Sequence, residues 1–536
     1  MKVLRVLLAV AILAGSASCS RTGETTAPSD RLRIAININP TNLNGILQQN
    51  TMESFVDGLI FDNLVTLDAQ HREVPDLAAE VPTVANGDIG KDGLTIRYRL
   101  RHGVTWHDGA PFTSRDVKFS WQAIMNPANN VVSRRGYDQV ASVDTPDPHT
   151  VVFRMKRLFA PAVDTIFGES DTPLRILPAH LLAKYPNLNQ IPFNAAPVGT
   201  GPFKFARWER GDRIVLSANP SYFRGAPKLR EITLLIILDD NTIEAQVRSH
   251  EVDLAMEVPA TMYRDLADAP GVVRQLVTAP VFNAIEFNAA RPPLDDLRLR
   301  RALVMAIDRA GITRDDTYGT GTVASADLSP FYWAYDPSLE PAPYDPSAAR
   351  ALLDAAGWRA GADGMRVRNG QRLSLQLVYG QGNAIGRAIV AQVQQMLRKA
   401  GVDVQAKSYD YATLYAAAES GGILNGGKFD LAVYSWVSGA DPDNASQWAC
   451  NAIPPAGNNI SRYCSPKMDA VQRLALSTFD RSVRTKAYHD VESLLVEDAP
   501  AAFLYYRSLV YVRVPDLKNF TPNGTSEGWN AQEWNR

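Results

Sequence analysis

The sequence has few of the residues on which reactive and metal-binding sites depend. Three cysteines and seven histidines occur among 536 residues. There is no HExxH zinc motif and no SxxK motif. Residues 422–428 (GILNGGK) match a phosphate-binding loop, but Phe429 stands where that motif needs Ser or Thr, and the predicted helix and strand around it come in reverse order. We therefore predict no catalytic residues, no metal and no cofactor.

The chain also lacks an excess of either charge. Its 55 basic and 57 acidic residues give a net charge of -2, which argues against a nucleic-acid partner. Hydrophobic residues make up 46% and charged residues 21%, as in ordinary globular proteins. Because 536 residues exceed what one hydrophobic core usually serves, we expect two or three domains.

Long apolar runs are absent except at the N-terminus. Lys2 and Arg5 precede an apolar segment at 6–14, small residues at 15–18 and then Cys19. The apolar segment is too short for a membrane span and is typical of an export signal. The pattern is similar to a lipoprotein signal, with signal peptide 1–18, lipidated Cys19 and tether 19–30, although Ser16 replaces the usual Leu. An ordinary cleaved signal is the alternative.

The other two cysteines form a pair if Cys19 carries lipid. Cys450 and Cys464 enclose 13 residues rich in Pro, Gly and Asn, which can close into a loop. Export permits a disulfide, and cross-linking a loop of this size contributes about 3 kcal/mol in the chain-entropy account. We predict a Cys450–Cys464 disulfide, with two free buried thiols as the alternative.

Strands and helices alternate in the second half of the chain. The hydrophobic pattern predicts strands at 373–379, 402–408 and 429–436 and helices at 384–400 and 411–419. The last strand is apolar on both faces, which favours a parallel sheet covered on both sides. Ligands bind such sheets beyond the carboxyl ends of the strands. We therefore expect the loop 437–444 at the mouth of a cleft.

Residues 92–121 predict a strand, turns and a helix. Ile96, Tyr98 and Leu100 alternate with arginines, which is the period of a half-buried strand. After a turn, Thr113 or Ser114 can cap a helix that carries an acid in its first turn.

The same segment resembles the signature of the family 5 extracellular solute-binding proteins, which bind peptides or nickel for ABC importers. Residues 100–120 match the pattern LRxGVxWHDGxPFTxxDVxFS almost without a break. Further blocks that resemble the family follow in family order, at 63–65, 74–78, 199–203, 293–296, 300–303 and 306–309.

The resemblance implies a fold, a division into domains and a function. The fold would be the α/β, bilobal periplasmic-binding-protein fold of type II (Venus-flytrap) with an additional inserted domain. Lobe I would comprise residues 31–60, 193–282 and 505–536, the extra domain 61–192, and lobe II 283–504. The protein would be a monomeric substrate-binding component of an ABC importer, exported to the periplasmic or extracellular face, that delivers short peptides to a membrane permease.

Other functions stay open at this stage. Family members also bind nickel chelates, opines or oligosaccharides. An envelope hydrolase and a chaperone-like peptide holder are the alternatives from other classes.

The resemblance also suggests ligand-binding residues. In peptide-binding members an aspartate shortly after a tryptophan pairs with the ligand's α-ammonium. Here Trp436 has no acid three residues later, and Asp441 belongs to the DP element that follows. Either Asp441 takes over as the anchor or the ammonium is bound differently; a turn-capping role for Asp441 is the structural alternative. Trp436, Asp441, Ser438 and Tyr434 form the predicted ligand-binding set.

Overall fold

The computed structural model describes residues 30–48 and 50–536. The predicted signal peptide, Cys19 and nearly all of the predicted tether lie outside the described residues. Within them, no helix combines the length and apolar character that crossing a membrane requires.

The strands, in chain order, are β1 (Arg31–Ile36), β2 (Val65–Leu67), β3 (Glu73–Pro75), β4 (Thr95–Arg99), β5 (Val140–Asp147), β6 (Thr150–Met155), β7 (Phe203–Glu209), β8 (Arg213–Ala218), β9 (Glu231–Ile236), β10 (Leu254–Ala255), β11 (Val273–Phe287), β12 (Gly321–Val323), β13 (Arg359–Ala360), β14 (Arg366–Arg368), β15 (Gln371–Arg372), β16 (Ser374–Gly380), β17 (Asp403–Tyr409), β18 (Leu431–Val437) and β19 (Ala501–Arg513).

The helices are α1 (Thr51–Ile60), α2 (Ser114–Met125), α3 (Ala162–Thr165), α4 (Ala179–Leu182), α5 (Asp240–Arg248), α6 (Ala260–Asp265), α7 (Leu297–Ala306), α8 (Arg309–Thr317), α9 (Pro346–Ala355), α10 (Ala384–Lys399), α11 (Tyr411–Tyr415), α12 (Ala445–Trp448), α13 (Pro466–Leu476) and α14 (Arg481–Asp498).

One large mixed sheet organises the molecule. Its strand order is β17-β16-β18-β11-β19-β10-β1-β9-β8-β7, with β12 also paired to β19. The central strands β11 and β19 have 15 and 13 residues and run antiparallel to each other. Strands of the predicted lobe II lie on one side of this pair and strands of the predicted lobe I on the other. The predicted boundaries 282/283 and 504/505 fall inside β11 and β19, so these strands connect the two halves.

The predicted alternation of strands and helices is confirmed with local differences. β16 pairs in parallel with both β17 and β18, but β18 pairs antiparallel with β11, so the expectation of a parallel sheet holds only for part of it. Helix α11 ends at Tyr415 instead of residue 419, because Ala416 adopts a ψ of 154 that no helix continues.

The signature segment has a structural role. Helix α2 begins after Thr113, and the Asp116 carboxylate accepts hydrogen bonds from the backbone N–H of Thr113 at 2.8 Å and of Ala179 at 2.9 Å. The two ring nitrogens of His107 lie 3.2 Å from the Gly199 nitrogen and 3.0 Å from the Gly201 carbonyl oxygen. Burial lowers the pKa of His107 to about 4, so it is neutral at physiological pH. These contacts fasten the signature segment, which lies in the predicted extra domain, to the turn at 199–203.

The disulfide predicted from the sequence is present in the structure. A disulfide links Cys450 to Cys464. The Cys450 backbone N–H also donates to the Asp469 carboxylate at 2.9 Å, which ties the loop to the start of α13.

Candidate ligand-binding cleft

A cavity of about 290 Å³ lies beside the centre of β11 and β19. Its volume is near the lower end of ordinary small-molecule sites. Most of its lining comes from residues within 48–54, 170–173, 279–281, 437–438, 507–509 and 524–527. Segments from both predicted lobes and from the extra domain therefore meet around one space.

The cavity lies where the pairing between β11 and β19 is interrupted. The regular pairing stops after Thr278 with Ser508 and resumes at Phe282 with Tyr506. Pro280, within the gap, has no N–H to donate to a neighbouring strand. Its carbonyl instead accepts a hydrogen bond of 3.0 Å from the Ser438 backbone N–H. The gap thus brings the loop after β18 against the crossing strands.

Of the four residues predicted to bind ligand, Ser438 lines the cavity. Its hydroxyl accepts a hydrogen bond of 2.9 Å from the indole N–H of Trp436, which is partly buried behind it. Tyr434 is 6% exposed and packs parallel to Trp436 with ring centroids 6.2 Å apart. Trp436 therefore supports the cavity wall through its hydrogen bond to Ser438, and Tyr434 packs against Trp436. Direct contact of Trp436 or Tyr434 with a ligand remains a prediction.

Asp441 has an internal partner. The Arg484 guanidinium donates to both oxygens of its carboxylate, each at 2.7 Å, and both side chains are 5% exposed. Although burial opposes it, the Asp441 carboxylate raises the pKa of Arg484. A ligand ammonium would have to compete with Arg484 for the Asp441 carboxylate. The role of Asp441 as an ammonium anchor therefore stays a prediction, and the alternative is a structural role in this ion pair.

Four charged residues that line the cavity were not found from the sequence, and one of them is Asp171. Arg507 of β19 and Glu257, after β10, form an ion pair with an N–O distance of 3.8 Å, and Glu527 lies in the C-terminal segment. The Glu527 carboxylate accepts a hydrogen bond of 3.0 Å from the Tyr511 hydroxyl. Burial, and then the charge of Glu257, raise the pKa of Glu527 to about 7. No local motif marks these residues, because each is an isolated charge in an otherwise ordinary strand or loop.

Direct contacts join the loop after β18 to residues 169–171, which belong to the predicted extra domain. The Ala440 backbone N–H donates to the Glu169 carbonyl at 2.8 Å, and Gly439 packs against the backbone of Ser170 and Asp171. We call this the bridging contact, formed by residues 437–441 and 169–171. Two ion pairs also connect the predicted extra domain with the predicted lobe II. Arg135 pairs with Asp443 at 2.6 Å, and Glu73 pairs with Arg481 at the start of α14.

Residues 524–528 (GTSEG) have the spacing of a nucleophile elbow but not its structure. The segment is a loop between turns, without the strand before it and the helix after it that the motif requires. In the described part of the chain, no hydrogen bond joins Ser526 to a histidine.

Comparison with known proteins gives the family. The sequence model of the bacterial extracellular solute-binding proteins, family 5 Middle, matches residues 73–453. The chain belongs to this family. Its α/β architecture is the bilobal periplasmic solute-binding fold of the family's solved structures.

Similar proteins match over nearly the whole chain. Protein XP55 of Streptomyces lividans is 29% identical over 514 residues, covering 94% of this chain and 89% of its own. The oligopeptide-binding protein AppA of Bacillus subtilis is 26% identical, covering 99% and 97%. Among solved structures, NikZ from Campylobacter jejuni in complex with Ni(L-His) has a TM-score of 0.77 at 26% identity, covering 95% of this chain and 100% of that one. AppA with a nonapeptide has a TM-score of 0.75 at 26% identity, covering 95% and 99%.

Proposed function

We propose that this protein is the substrate-binding component of an ABC importer and captures short peptides in the cavity described above. The observation that carries the proposal is the mixed charge of that cavity, where Glu257 and Glu527 lie with Arg507 around one partly enclosed space. Charge-assisted hydrogen bonds from such a set suit a ligand that has both an ammonium and a carboxylate. Relatives named for oligopeptides and for di- and tripeptides support the same ligand class.

The proposed mechanism is capture and release, with no bond made or broken. Two lobes, with the boundaries predicted from the sequence, would close about β11 and β19, and a ligand that contacts both would favour the closed form. The bridging contact would form on closure. The protein would act as a monomer and release its ligand to a membrane permease.

Nickel chelates are the second candidate, because the similar NikZ structure contains Ni(L-His). The described lining of the cavity contains no histidine or cysteine, so a nickel ion would have to arrive with its own chelator. Opines and oligosaccharides are the remaining alternatives from the resemblance.

Short peptides should raise the melting temperature of the purified protein. Ligand at a hundred times its dissociation constant stabilises the folded state by about 2.7 kcal/mol. Unfolding a chain of this length has an entropy of about 1 kcal/mol per kelvin, so we expect a shift of about 2 to 3 degrees in a thermal-shift assay. Nickel–histidine and oligosaccharides serve as comparison ligands. A shift with one of these and with no member of a di- to pentapeptide library would contradict peptide capture.

We also propose that the mature chain begins at a lipidated Cys19. Replacing Cys19 with alanine should move the protein from the membrane fraction to the soluble fraction, because the lipid would be its membrane anchor. The matched control is Ser20→Ala, which leaves the cysteine in place and should stay in the membrane fraction. An intact mass that places an unmodified mature N-terminus elsewhere would reject the anchor.

A further inference from the structure

Negative groups outnumber positive ones in the cavity. Glu257, Glu527 and Asp171 line it with one guanidinium, that of Arg507. Arg507 is half exposed and pairs with Glu257. Among the described residues, the only side chain that hydrogen-bonds to Glu527 is Tyr511, which is neutral. The cavity therefore holds at least one buried carboxylate without a cationic partner.

The same cavity contains buried polar atoms that have no hydrogen-bond partner. Gln48 is 2% exposed; its amide N–H donates to the Pro173 carbonyl, and its Oε1 accepts no hydrogen bond. Ser54, 8% exposed, has an unpartnered hydroxyl. Burying a polar group without a partner is unfavourable, so these atoms of the cavity wall favour a ligand that supplies the missing hydrogen bonds. Because Gln48 Oε1 is a hydrogen-bond acceptor without a donor, the cavity favours a ligand rich in N–H groups.

We propose that the cavity binds a cationic, N–H-rich group of its ligand, an ammonium or a guanidinium, at Glu257 and Glu527, with Gln48 Oε1 as a further acceptor for the same ligand. The preferred substrates are then short peptides with a net positive charge. The peptide part of this statement rests on the proposed function, whereas the cation site does not.

The surroundings of Glu527 show why a cation fits. The charged and titratable groups that act on it are Glu257, the neutral Tyr511 and Glu169, and burial is the largest influence that raises its pKa, to about 7. Burial also raises the pKa of Glu257, opposed by the nearby charge of Arg507. A carboxylate that is buried beside a second negative charge takes up a proton more readily than an exposed one. A ligand cation can replace that proton and stabilise both ionised carboxylates.

This exchange gives the site a pH dependence. A nearby cation favours the ionised carboxylate and lowers its pKa, so binding near neutral pH should release protons. Affinity for a cationic ligand should rise as the pH increases from about 5.5 to about 8, because fewer protons then have to be displaced.

Isothermal titration calorimetry with Ala-Lys-Ala, Ala-Ala-Ala, N-acetyl-Ala-Ala-Ala and Ala-Glu-Ala tests the proposal. We expect Ala-Lys-Ala to bind at least about tenfold more tightly than Ala-Glu-Ala, and E527Q to reduce that ratio to about one. Acetylation weakens binding if the α-ammonium occupies the site, and leaves it unchanged if a side-chain cation does. Titrations of wild type in buffers of different ionisation enthalpy should show proton release that E527Q lacks.

Two controls separate the outcomes. E533Q changes an exposed glutamate in the same C-terminal segment outside the cavity, and should bind all four peptides as wild type does. Agmatine is a guanidine that is not a peptide: its binding, without binding of any peptide, would keep the cation site and discard the peptide function. Equal affinity for Ala-Lys-Ala and Ala-Glu-Ala together with no effect of acetylation, the same affinities for all four peptides in wild type and E527Q, or no binding of any probe would overturn the inference.

Discussion

Replacing Gly439 with valine should prevent ligand capture while leaving both lobes folded. A β-carbon at this position would lie 2.6 Å from the backbone nitrogen of Asp171 and 2.7 Å from the carbonyl carbon of Ser170. These are backbone atoms held by the bridging contact, so they cannot rotate away as a flexible side chain would. Residues 169–171 and the loop after β18 would therefore be held apart, and the closed form would lose stability relative to the open form.

The expected loss of affinity is large because closure and binding are coupled. A state that becomes a hundred times less populated lowers the apparent affinity by the same factor. We expect about a tenfold loss for Gly439→Ala and about a hundredfold or greater loss for Gly439→Val, measured by calorimetry with whichever ligand binds wild type. Small-angle X-ray scattering should show that the ligand compacts wild type and not the valine variant.

The matched control is Gly361→Ala. A β-carbon there would meet only the Met365 carbonyl oxygen at 3.2 Å as a close contact, and the residue lies outside the cavity. This variant should bind and close normally. Wild-type affinity in Gly439→Val would show that the bridging contact takes no part in capture.

Arg484→Met should lower the free energy of unfolding by about 3 to 5 kcal/mol, because it leaves the Asp441 carboxylate buried without its partner. In wild type the guanidinium contacts both carboxylate oxygens and little water reaches either group. Urea denaturation followed by circular dichroism measures the loss. Removing both charges, in Arg484→Met with Asp441→Leu, should recover most of it, since the large cost comes from the unpaired charge.

An exposed ion pair provides the comparison. Arg314 and Asp315 lie 2.9 Å apart, with side chains 72% and 52% exposed, and Arg314→Met should change stability by less than about 1 kcal/mol. Asp441→Asn then separates the two roles of Asp441. A loss of peptide affinity without a loss of stability would support its role as ammonium anchor, whereas a loss of stability at unchanged affinity would assign it to the ion pair. A stable Arg484→Met variant would refute the structural account.

The sequence predicted most of the local structure and the family. The cap of α2 at Thr113, the strands β16 to β18 and the helix α10 depend on spacings of two to four residues, which hydrophobic periodicity and helix capping make visible. The disulfide followed from two isolated cysteines in an exported chain, and the family followed from a contiguous signature. All of these features lie within short stretches of chain, where the sequence order is close to the spatial order.

The tertiary structure alone decided which charges share the cavity. Glu257 and Arg507 are neighbours only because β10 and β19 lie side by side in the large sheet, and Glu527 joins them from the C-terminal segment. The partner of Asp441 likewise became clear only when α14 placed Arg484 against it. Such contacts depend on strand order, on the gap in pairing between β11 and β19 and on burial, none of which leaves a periodic trace in the sequence. The sequence alone does not distinguish a charged residue that faces solvent from one that faces a ligand. The tertiary structure around the residue determines which of the two it contacts.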